Sequence, residues 1–208
     1  MNTIREISGI GPQPGVLFYV IGPSGAGKDS LMTHARAKLG GADEPLVMFA
    51  HRYITRPAEA GGENHVAVSR AEFERMRANG HFAFAWESHG QGYGIGREIE
   101  LWLERGASVV MNGSREYLPE AARRHPDLCV VLIEASPSVL RARLEARGRE
   151  SPLEIERRLS RAAAFTVEPP RLARISNNGA LAEAGDRLLR VLASPPPVRT
   201  ERVLLPAE

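Results

Sequence analysis

Short apolar runs alternate with amphipathic stretches along most of the chain. The runs cover residues 16–21, 46–50, 107–111 and 128–133, and a weaker one covers residues 173–176. They are rich in residues that favour β-structure, as expected of buried parallel strands. Because helical stretches separate them, the pattern predicts right-handed βαβ units and a doubly wound parallel sheet of the α/β class.

Start and stop signals delimit the helices between these strands. Two glycines end the first helix, a Ser-Pro pair begins the second, and a capping box begins the third. The predicted helices cover about residues 29–39, residues 137–147, the stretch after the capping box at 151–154, and residues 181–192.

One part of the chain breaks this alternation and predicts a small inserted subdomain. Its polar and apolar residues alternate at 65–68 and at 81–87, which indicates short strands, and Ser69 begins a helix between them. We therefore expect a single domain rather than two. The predicted core covers about residues 14–51 and 97–193, the insertion covers about 52–96, and a flexible tail covers 194–208.

Composition narrows the class of protein. The chain has 208 residues with 27 basic and 25 acidic side chains, so its net charge of +2 argues against a nucleic-acid-coating role. No run approaches the roughly 18 apolar residues of a membrane span, and residues 1–15 lack the apolar stretch of a secretory signal. The single cysteine, Cys129, excludes an internal disulfide and a cysteine zinc site. We therefore predict a cytoplasmic protein without nucleic-acid or membrane partners.

A glycine-rich turn links the first predicted strand to the first predicted helix. It matches a Walker A loop, in which glycines let backbone N–H groups face a phosphate at a helix N-terminus. Lys28 would reach the β- and γ-phosphates of a nucleotide. A chance glycine-rich turn is the alternative, which the strand, spacing, lysine and helix together disfavour. The predicted ATP-binding residues are Gly22, Pro23, Ser24, Gly25, Ala26, Gly27, Lys28, Asp29 and Ser30.

The residue after the loop lysine departs from the Walker pattern. Serine or threonine is expected there to bind Mg²⁺, but this chain has Asp29. The strand that ends at Met111 is followed by Asn112, where many P-loop enzymes place a metal-binding aspartate. Because a carboxylate is a hard oxygen ligand, we predict that Asp29 binds the Mg²⁺ that Asn112 cannot. The alternative is that Asp29 only caps the helix N-terminus.

Candidate acceptor residues follow the second predicted strand. Arg52 and Arg56 lie at the carboxyl edge of the sheet, where open α/β sheets bind ligands, and a guanidinium binds phosphate bidentately. Tyr93, in a stretch that mixes polar, aromatic and glycine residues, is a further candidate for substrate contact. For His89 in the same stretch, a position on a surface loop is an equally open alternative. These residues predict a phosphorylated substrate.

An arginine cluster occupies the C-terminal half. Arg143 and Arg147 end one predicted helix, and Arg158 lies on the next helix, across a short turn. Two helices joined in this way are typical of a lid, here about residues 141–161, that closes over the transferring phosphoryl group. We predict that these three arginines and Lys28 are catalytic. A solvated basic face is the alternative, which we prefer for Arg141, Arg157 and Arg161.

Taken together, the motifs resemble those of guanylate kinases, in the same order over about residues 14–193. The resemblance rests on the loop ending at Lys28, Thr55-Arg56-Pro57, Tyr93-Gly94, Arg143-Leu144-x-x-Arg147-Gly148 and Ile155-x-x-Arg158-Leu159. The chain departs from that family where it binds GMP. Ala58 stands in place of a second arginine, His65 in place of tyrosine, Ile95 in place of threonine and Asn112 in place of aspartate.

The altered positions instead resemble ribose 1,5-bisphosphate phosphokinases, a guanylate-kinase-like family of phosphonate catabolism. The matching segments are 22–30, 52–57, 61–65, 89–90 with 93–95, and 112–115. The resemblance implies a guanylate-kinase-like P-loop fold with a core, an acceptor-binding subdomain and a helical lid. It also implies that ATP phosphorylates ribose 1,5-bisphosphate to 5-phosphoribosyl 1-diphosphate (PRPP), with Mg²⁺. The candidate partners of the sugar hydroxyls are Glu63, Asn64, His65 and His89.

Two other functions stay open from the sequence. A guanylate kinase would need unusual base recognition, because the usual acceptor residues are replaced. A non-catalytic guanylate-kinase-like interaction module would typically lack the loop lysine, which this chain retains as Lys28.

Overall fold

The computed structural model describes residues 14–39, 46–58, 65–148, 150–163, 167 and 169–198. The strands are β1 (Leu17–Ile21), β2 (Val47–Phe49), β3 (Arg52–Ile54), β4 (Val66–Ala67), β5 (Phe82–Ser88), β6 (Gln91–Gly96), β7 (Ser108–Asn112), β8 (Cys129–Glu134) and β9 (Leu172–Ser176). The helices are α1 (Lys28–Lys38), α2 (Arg70–Ala78), α3 (Glu98–Glu104), α4 (Leu118–Arg124), α5 (Pro137–Arg147), α6 (Pro152–Ala163) and α7 (Leu181–Ala193).

Five strands form the central sheet, in the order β2-β7-β1-β8-β9, and every neighbouring pair is parallel. This arrangement confirms the predicted doubly wound α/β fold. All five residues of β1 are buried, because β1 lies in the middle of the sheet and has helices on one face and further structure on the other. Its alternate side chains therefore enter two separate apolar clusters, Tyr19 on one face and Phe18 on the other.

A second sheet of four strands follows β2, in the order β4-β3-β6-β5. The sequence pattern predicts α2, β4 and β5 of this sheet, but it predicts neither β3 nor β6 as a strand. Aromatic packing explains the glycines of β6. A Cβ atom at Gly92 would lie 2.8 Å from the Phe73 ring, and one at Gly94 would lie 2.5 Å from the Phe82 ring. Because these two rings pack directly against the backbone of β6, there is no room for a side chain at position 92 or 94.

Helices α5 and α6 pack against each other next to the phosphate loop, and they overlap the predicted lid at about residues 141–161. Ser136 caps α5 by accepting a hydrogen bond from the backbone N–H of Val139. Ser151 and Glu154 form the predicted capping box, in which the Glu154 carboxylate accepts from the Ser151 backbone N–H at 2.8 Å. The capping signals therefore place the start of both helices correctly.

Cys129 lies at the start of β8 and is fully buried. Burial raises the pKa of its thiol to about 11, so the group stays protonated at neutral pH. Across the described ranges, every helix is too short or too polar to cross a bilayer. Of the predicted flexible tail, residues 199–208 lie outside the described residues.

Candidate active site

The phosphate loop connects the end of β1 to the start of α1. Gly25 and Gly27 adopt positive φ angles of 86° and 89°, which favour glycine. A Cβ atom at Gly27 would also lie 2.5 Å from the amide nitrogen of Asn177. The Lys28 ammonium donates to the carbonyls of Gly22 at 2.9 Å and Pro23 at 3.2 Å, so it lies over the loop it follows. This geometry suits a phosphate-binding loop.

Asp29 and Asn112 are in direct contact beside this loop. The Asn112 side-chain amide donates to Oδ1 of Asp29 at 2.7 Å. Asn112 is only 3% exposed, and its own side-chain oxygen is buried without a hydrogen-bond partner. The two residues that depart from the Walker pattern therefore form one hydrogen-bonded pair, in which the amide fixes the carboxylate.

A cleft of about 250 Å³ lies between the phosphate loop and the second sheet. Lys28 and Asp29 line it from the core, whereas Arg52 and Tyr93 line it from the second sheet. The structure thus brings predicted ATP-binding residues together with two of the predicted substrate-binding residues. The remaining described lining residues are Gly22, Ser24, Trp86, Ser88, Asn112, Gly113, Ser114, Arg115 and Glu116. A second cavity of about 490 Å³ shares Asp29, Arg52 and Asn112 with this cleft.

Aromatic rings hold Arg52 in the cleft. Its guanidinium carbon lies 5.1 Å from the centroid of the Tyr93 ring, within range of a cation–π interaction. The Tyr93 ring is stacked on Trp86, with 5.5 Å between centroids and 6° between planes. Trp86 in turn stacks on Tyr117. This row of rings restricts the arginine before any substrate arrives, which lowers the entropy lost on binding.

Two of the three predicted lid arginines contact the phosphate loop. Arg158 donates to the Ser24 hydroxyl at 2.8 Å. Arg143 makes longer contacts with the carbonyls of Gly25, at 3.4 Å, and Ala26, at 3.5 Å. These two cations therefore lie beside the phosphate loop.

Arg147 does not reach the phosphate loop. It pairs instead with Glu150 at the turn between α5 and α6, and Arg158 also pairs with Glu150, at 3.4 Å. The Glu150 side chain is only 6% exposed. One buried carboxylate therefore joins two lid arginines, a contact that the sequence analysis did not identify. Of the three arginines assigned to a solvated face, Arg141 pairs with Glu156 of the neighbouring helix, and Arg157 and Arg161 are exposed.

The other predicted acceptor residues lie outside the described lining of the cleft. Arg56 is half-buried, and its Nε is buried without a hydrogen-bond partner. His65 is buried and donates from Nε2 to the backbone carbonyl of Arg56 at 3.0 Å, so it supports that turn. His89 is exposed in the tight turn between β5 and β6, with a φ of 50°. Glu63 and Asn64 lie outside the described residues. The substrate roles of these residues stay predictions.

Sequence reasoning did not assign a role to several residues that build the site. Asn177, at the end of β9, is 2% exposed and donates to the carbonyl of Ala26 at 2.7 Å, which supports the phosphate loop. Ser88, Ser114, Arg115 and Glu116 line the cleft. Two signals point to residues 113–116 in advance: the segment 112–115 matches the family resemblance, and the residues directly follow a core strand at the carboxyl edge of the sheet.

A larger cavity of about 870 Å³ lies away from the phosphate loop, at the opposite end of the central sheet. It is lined by residues at the start of β1 and by the turn that contains His125. Burial lowers the pKa of His125. Because parallel sheets of this type bind ligands at the carboxyl ends of their strands, we place the active site in the smaller cleft.

A solved structure shares the fold of this chain. The crystal structure of guanylate kinase from Anaplasma phagocytophilum has a TM-score of 0.60 and 20% identity, and the match covers 86% of this chain and 85% of that one. At that identity the likeness shows the fold alone, which confirms the guanylate-kinase-like architecture. No protein-family model matches the chain.

Curated relatives match at much higher identity. The ribose 1,5-bisphosphate phosphokinase PhnN of Thiobacillus denitrificans is 57% identical over 179 residues, which are 86% of this chain and 93% of the relative. The protein of the same name from Desulfomicrobium baculatum is 59% identical over 172 residues, which are 83% of this chain and 91% of the relative. The chain therefore belongs to the family of ribose 1,5-bisphosphate phosphokinases.

Proposed function

We propose that this chain transfers the γ-phosphoryl group of ATP to the 1-phosphate of ribose 1,5-bisphosphate, which yields PRPP. The observation that carries the proposal is that Lys28 and Asp29 line the same cleft as Arg52 and Tyr93. The curated relatives are named for this reaction. We place the reaction in phosphonate catabolism and in the cytoplasm, where both ATP and phosphorylated sugars are found.

The proposed reaction requires the two substrates to be positioned and the charge of their phosphates to be neutralised, but it does not require a strong base. The acceptor is a phosphate oxygen, which is already ionised near neutral pH, so no residue has to remove a proton from it. Lys28, Arg143 and Arg158 supply positive charge around the transferring group. Arg52 supplies it on the acceptor side, from its place above Tyr93. We assign Arg147 to the same role, as a residue of the predicted lid. In the structure it pairs with Glu150.

The residues of the cleft fit Mg²⁺ as a partner of ATP. Asp29 supplies a hard carboxylate oxygen next to Lys28, and Asn112 fixes that carboxylate. No group of three or more His, Cys, Asp or Glu among the described residues could hold a metal by itself. Such a donor set suits an ion that takes its other ligands from phosphate oxygens and water. The ion would neutralise charge on the phosphates.

Guanylate kinase activity is the alternative that remains from the fold. Ile95, where guanylate kinases have a threonine, is fully buried in the hydrophobic core, and its side chain has no hydroxyl to offer a base. Trp86, in the same core cluster, stacks on Tyr117. An apolar side chain cannot replace a hydrogen-bonding group in base recognition without leaving polar atoms of the ligand unpaired.

A direct assay tests the proposal. The purified chain is incubated with ATP, Mg²⁺ and ribose 1,5-bisphosphate, and PRPP is measured through a phosphoribosyltransferase that consumes it; GMP replaces the sugar in a parallel reaction. We expect turnover with the sugar bisphosphate only. Equal or faster turnover of GMP would reject the assignment.

The two lysines of the chain provide a matched pair of variants. Lys28→Met should lower kcat at least about 100-fold, because the ammonium acts on charge that develops in the transition state. Lys38→Met, at the exposed end of the same helix, should leave kcat unchanged. Activity of Lys28→Met within about threefold of the parent, a difference below roughly 1 kcal/mol, would remove the loop from the catalytic machinery.

A further inference from the structure

The loop that follows β7 is built against a buried tyrosine. Tyr19 lies in the centre of β1 and is fully buried. A Cβ atom at Gly113 would lie 2.2 Å from Cε1 of the Tyr19 ring, a distance that no side chain could adopt. Glycine is therefore required at position 113, because the backbone passes directly over the ring.

The hydroxyl of the same tyrosine holds the next residue at two points. Tyr19 Oη donates to the carbonyl of Ser114 at 2.9 Å and accepts from the backbone N–H of Ser114 at 3.0 Å. Burial raises the pKa of Tyr19 well above its ordinary value, so the hydroxyl keeps the proton that it donates. The backbone at 113–114 is thus fixed to the central strand of the core.

Arg115 follows this fixed turn and lines the cleft with Lys28, Asp29 and Arg52. Its side chain is half-buried. Burial lowers the pKa of Arg115. The Glu116 carboxylate opposes this shift, and the positive charge of Arg161 on α6 adds to it less strongly. A partly desolvated guanidinium is stabilised by an anion placed beside it.

Arg52 lines the same cleft from the second sheet, and a different part of the fold holds it in place. The stacked rings of Tyr93 and Trp86 hold it, whereas the turn bonded to Tyr19 positions Arg115. The cleft therefore has two arginines, each held by its own part of the fold. The substrate of the proposed reaction likewise has two phosphate groups, one at each end of a ribose.

We propose that Arg115 is a substrate-binding residue that binds one phosphate group of the sugar bisphosphate while Arg52 binds the other, and that Tyr19 and Gly113 position Arg115. This inference rests on the proposed function and adds the means of recognising a bisphosphorylated sugar. A ligand with a single phosphate can fill only one of the two positions. The arrangement therefore selects the bisphosphate over ribose monophosphates.

Arg115→Gln tests the inference against Arg123→Gln as control. Arg123 is exposed on the helix that follows the same loop and pairs with Glu120. We expect Arg115→Gln to raise the KM for ribose 1,5-bisphosphate by about 10- to 100-fold, the loss typical of a hydrogen bond to a charged group. The KM for ATP should stay within about twofold. Arg115→Lys should recover part of the loss. An unchanged sugar KM, or an equal rise in the KM for ATP, would overturn the proposal.

Ribose 5-phosphate distinguishes the two positions, because it has only one of the two phosphates. Its inhibition constant against ribose 1,5-bisphosphate is measured for Arg52→Gln and Arg115→Gln. If the arginines bind different phosphates, one variant loses inhibition about 10-fold or more and the other retains it. A loss in both variants, or in neither, would overturn the assignment of separate phosphates.

Tyr19→Phe tests the positioning role. The ring that supports Gly113 remains, while both hydrogen bonds to Ser114 disappear. We expect the sugar KM to rise about three- to tenfold with little change in the KM for ATP. A purely structural role would lower the unfolding temperature and leave the sugar KM unchanged, which would overturn the positioning role. If the parent protein itself fails to use ribose 1,5-bisphosphate, the proposed function fails instead, so the two failures are distinguishable.

Discussion

Replacing Asn112 with aspartate places a second carboxylate against Asp29, and the expected cost can be worked from the structure. The Asn112 amide now donates to Asp29 Oδ1 at 2.7 Å in a nearly buried position. The substitution removes a hydrogen bond to a charged group, worth about 1.5–3 kcal/mol. It also adds repulsion of about 4 kcal/mol, for two charges roughly 4 Å apart at an effective dielectric constant of about 20.

Proton uptake limits this cost and makes it depend on pH. Repulsion of about 4 kcal/mol corresponds to a rise of about three pKa units for one carboxyl of the pair in Asn112→Asp, from about 4 to about 7. Because the folded-state pKa is raised above the unfolded value, the folded variant takes up a proton as pH falls through about 7. We therefore expect Asn112→Asp to be destabilised by about 5.5–7 kcal/mol at pH 8, where the pair is still largely ionised, and by clearly less at pH 5.5.

Urea unfolding of the parent and Asn112→Asp at both pH values checks the magnitude and the sign, with and without Mg²⁺. Mg²⁺ should restore stability at pH 8, since a divalent cation between the carboxylates replaces repulsion with attraction. A loss of stability that is equal at both pH values, or one that Mg²⁺ does not reduce, would refute the reasoning.

The double variant Asp29→Ser with Asn112→Asp extends the test to activity. It rebuilds the common P-loop arrangement, with a hydroxyl after the lysine and a carboxylate on the strand. If Asp29 serves the metal, Asp29→Asn alone should raise the Mg²⁺ concentration required for turnover. The double variant should then be more active than the single changes predict, by at least about 1 kcal/mol of coupling. Additive effects within about 0.5 kcal/mol, with an unchanged Mg²⁺ titration, would favour a helix-capping role for Asp29.

Three further predictions follow from contacts described above. Arg56→Ala should raise the KM for the sugar more than that for ATP, because its buried, unpartnered Nε lies on the acceptor side; a rise for ATP alone would contradict this. Glu150→Gln should lower kcat about three- to tenfold, because Arg147 and Arg158 lose the carboxylate with which both pair. The control Glu156→Gln should leave kcat unchanged. Gly94→Ala should lose about 1–3 kcal/mol in urea unfolding through its clash with Phe82, and an unchanged midpoint would show that the ring moves freely.

Local signals predicted most of the fold. The central strands are short apolar runs because parallel strands are buried on both faces, and the helix starts at Ser69, Ser136 and Ser151 are set by neighbouring residues. The second sheet was predicted only in part. Gly92 and Gly94 weaken the strand signal of β6, and the reason for them is two aromatic rings that are distant in sequence.

The candidate site, like the fold, could be predicted from the sequence only in part. The phosphate loop is a contiguous motif, so Lys28 and its neighbours were predictable from the sequence alone. By contrast, Asn177 supports that loop from 151 residues away, and Tyr19 holds Ser114 across 95 residues. Such contacts depend on which strands become neighbours, and one sequence without its fold does not contain that information. The Asp29–Asn112 pair is intermediate, since two departures from a common motif indicated that the residues were related.

The burial of Cys129 makes this protein suitable for site-specific labelling. The chain has one cysteine, and that thiol is enclosed in the core and protonated at neutral pH. A cysteine introduced at an exposed lid position, as in Arg157→Cys, would therefore be the thiol that a maleimide dye modifies in the folded protein. Fluorescence from that dye would test whether α5 and α6 move as ATP and the sugar bind, without background from the native cysteine.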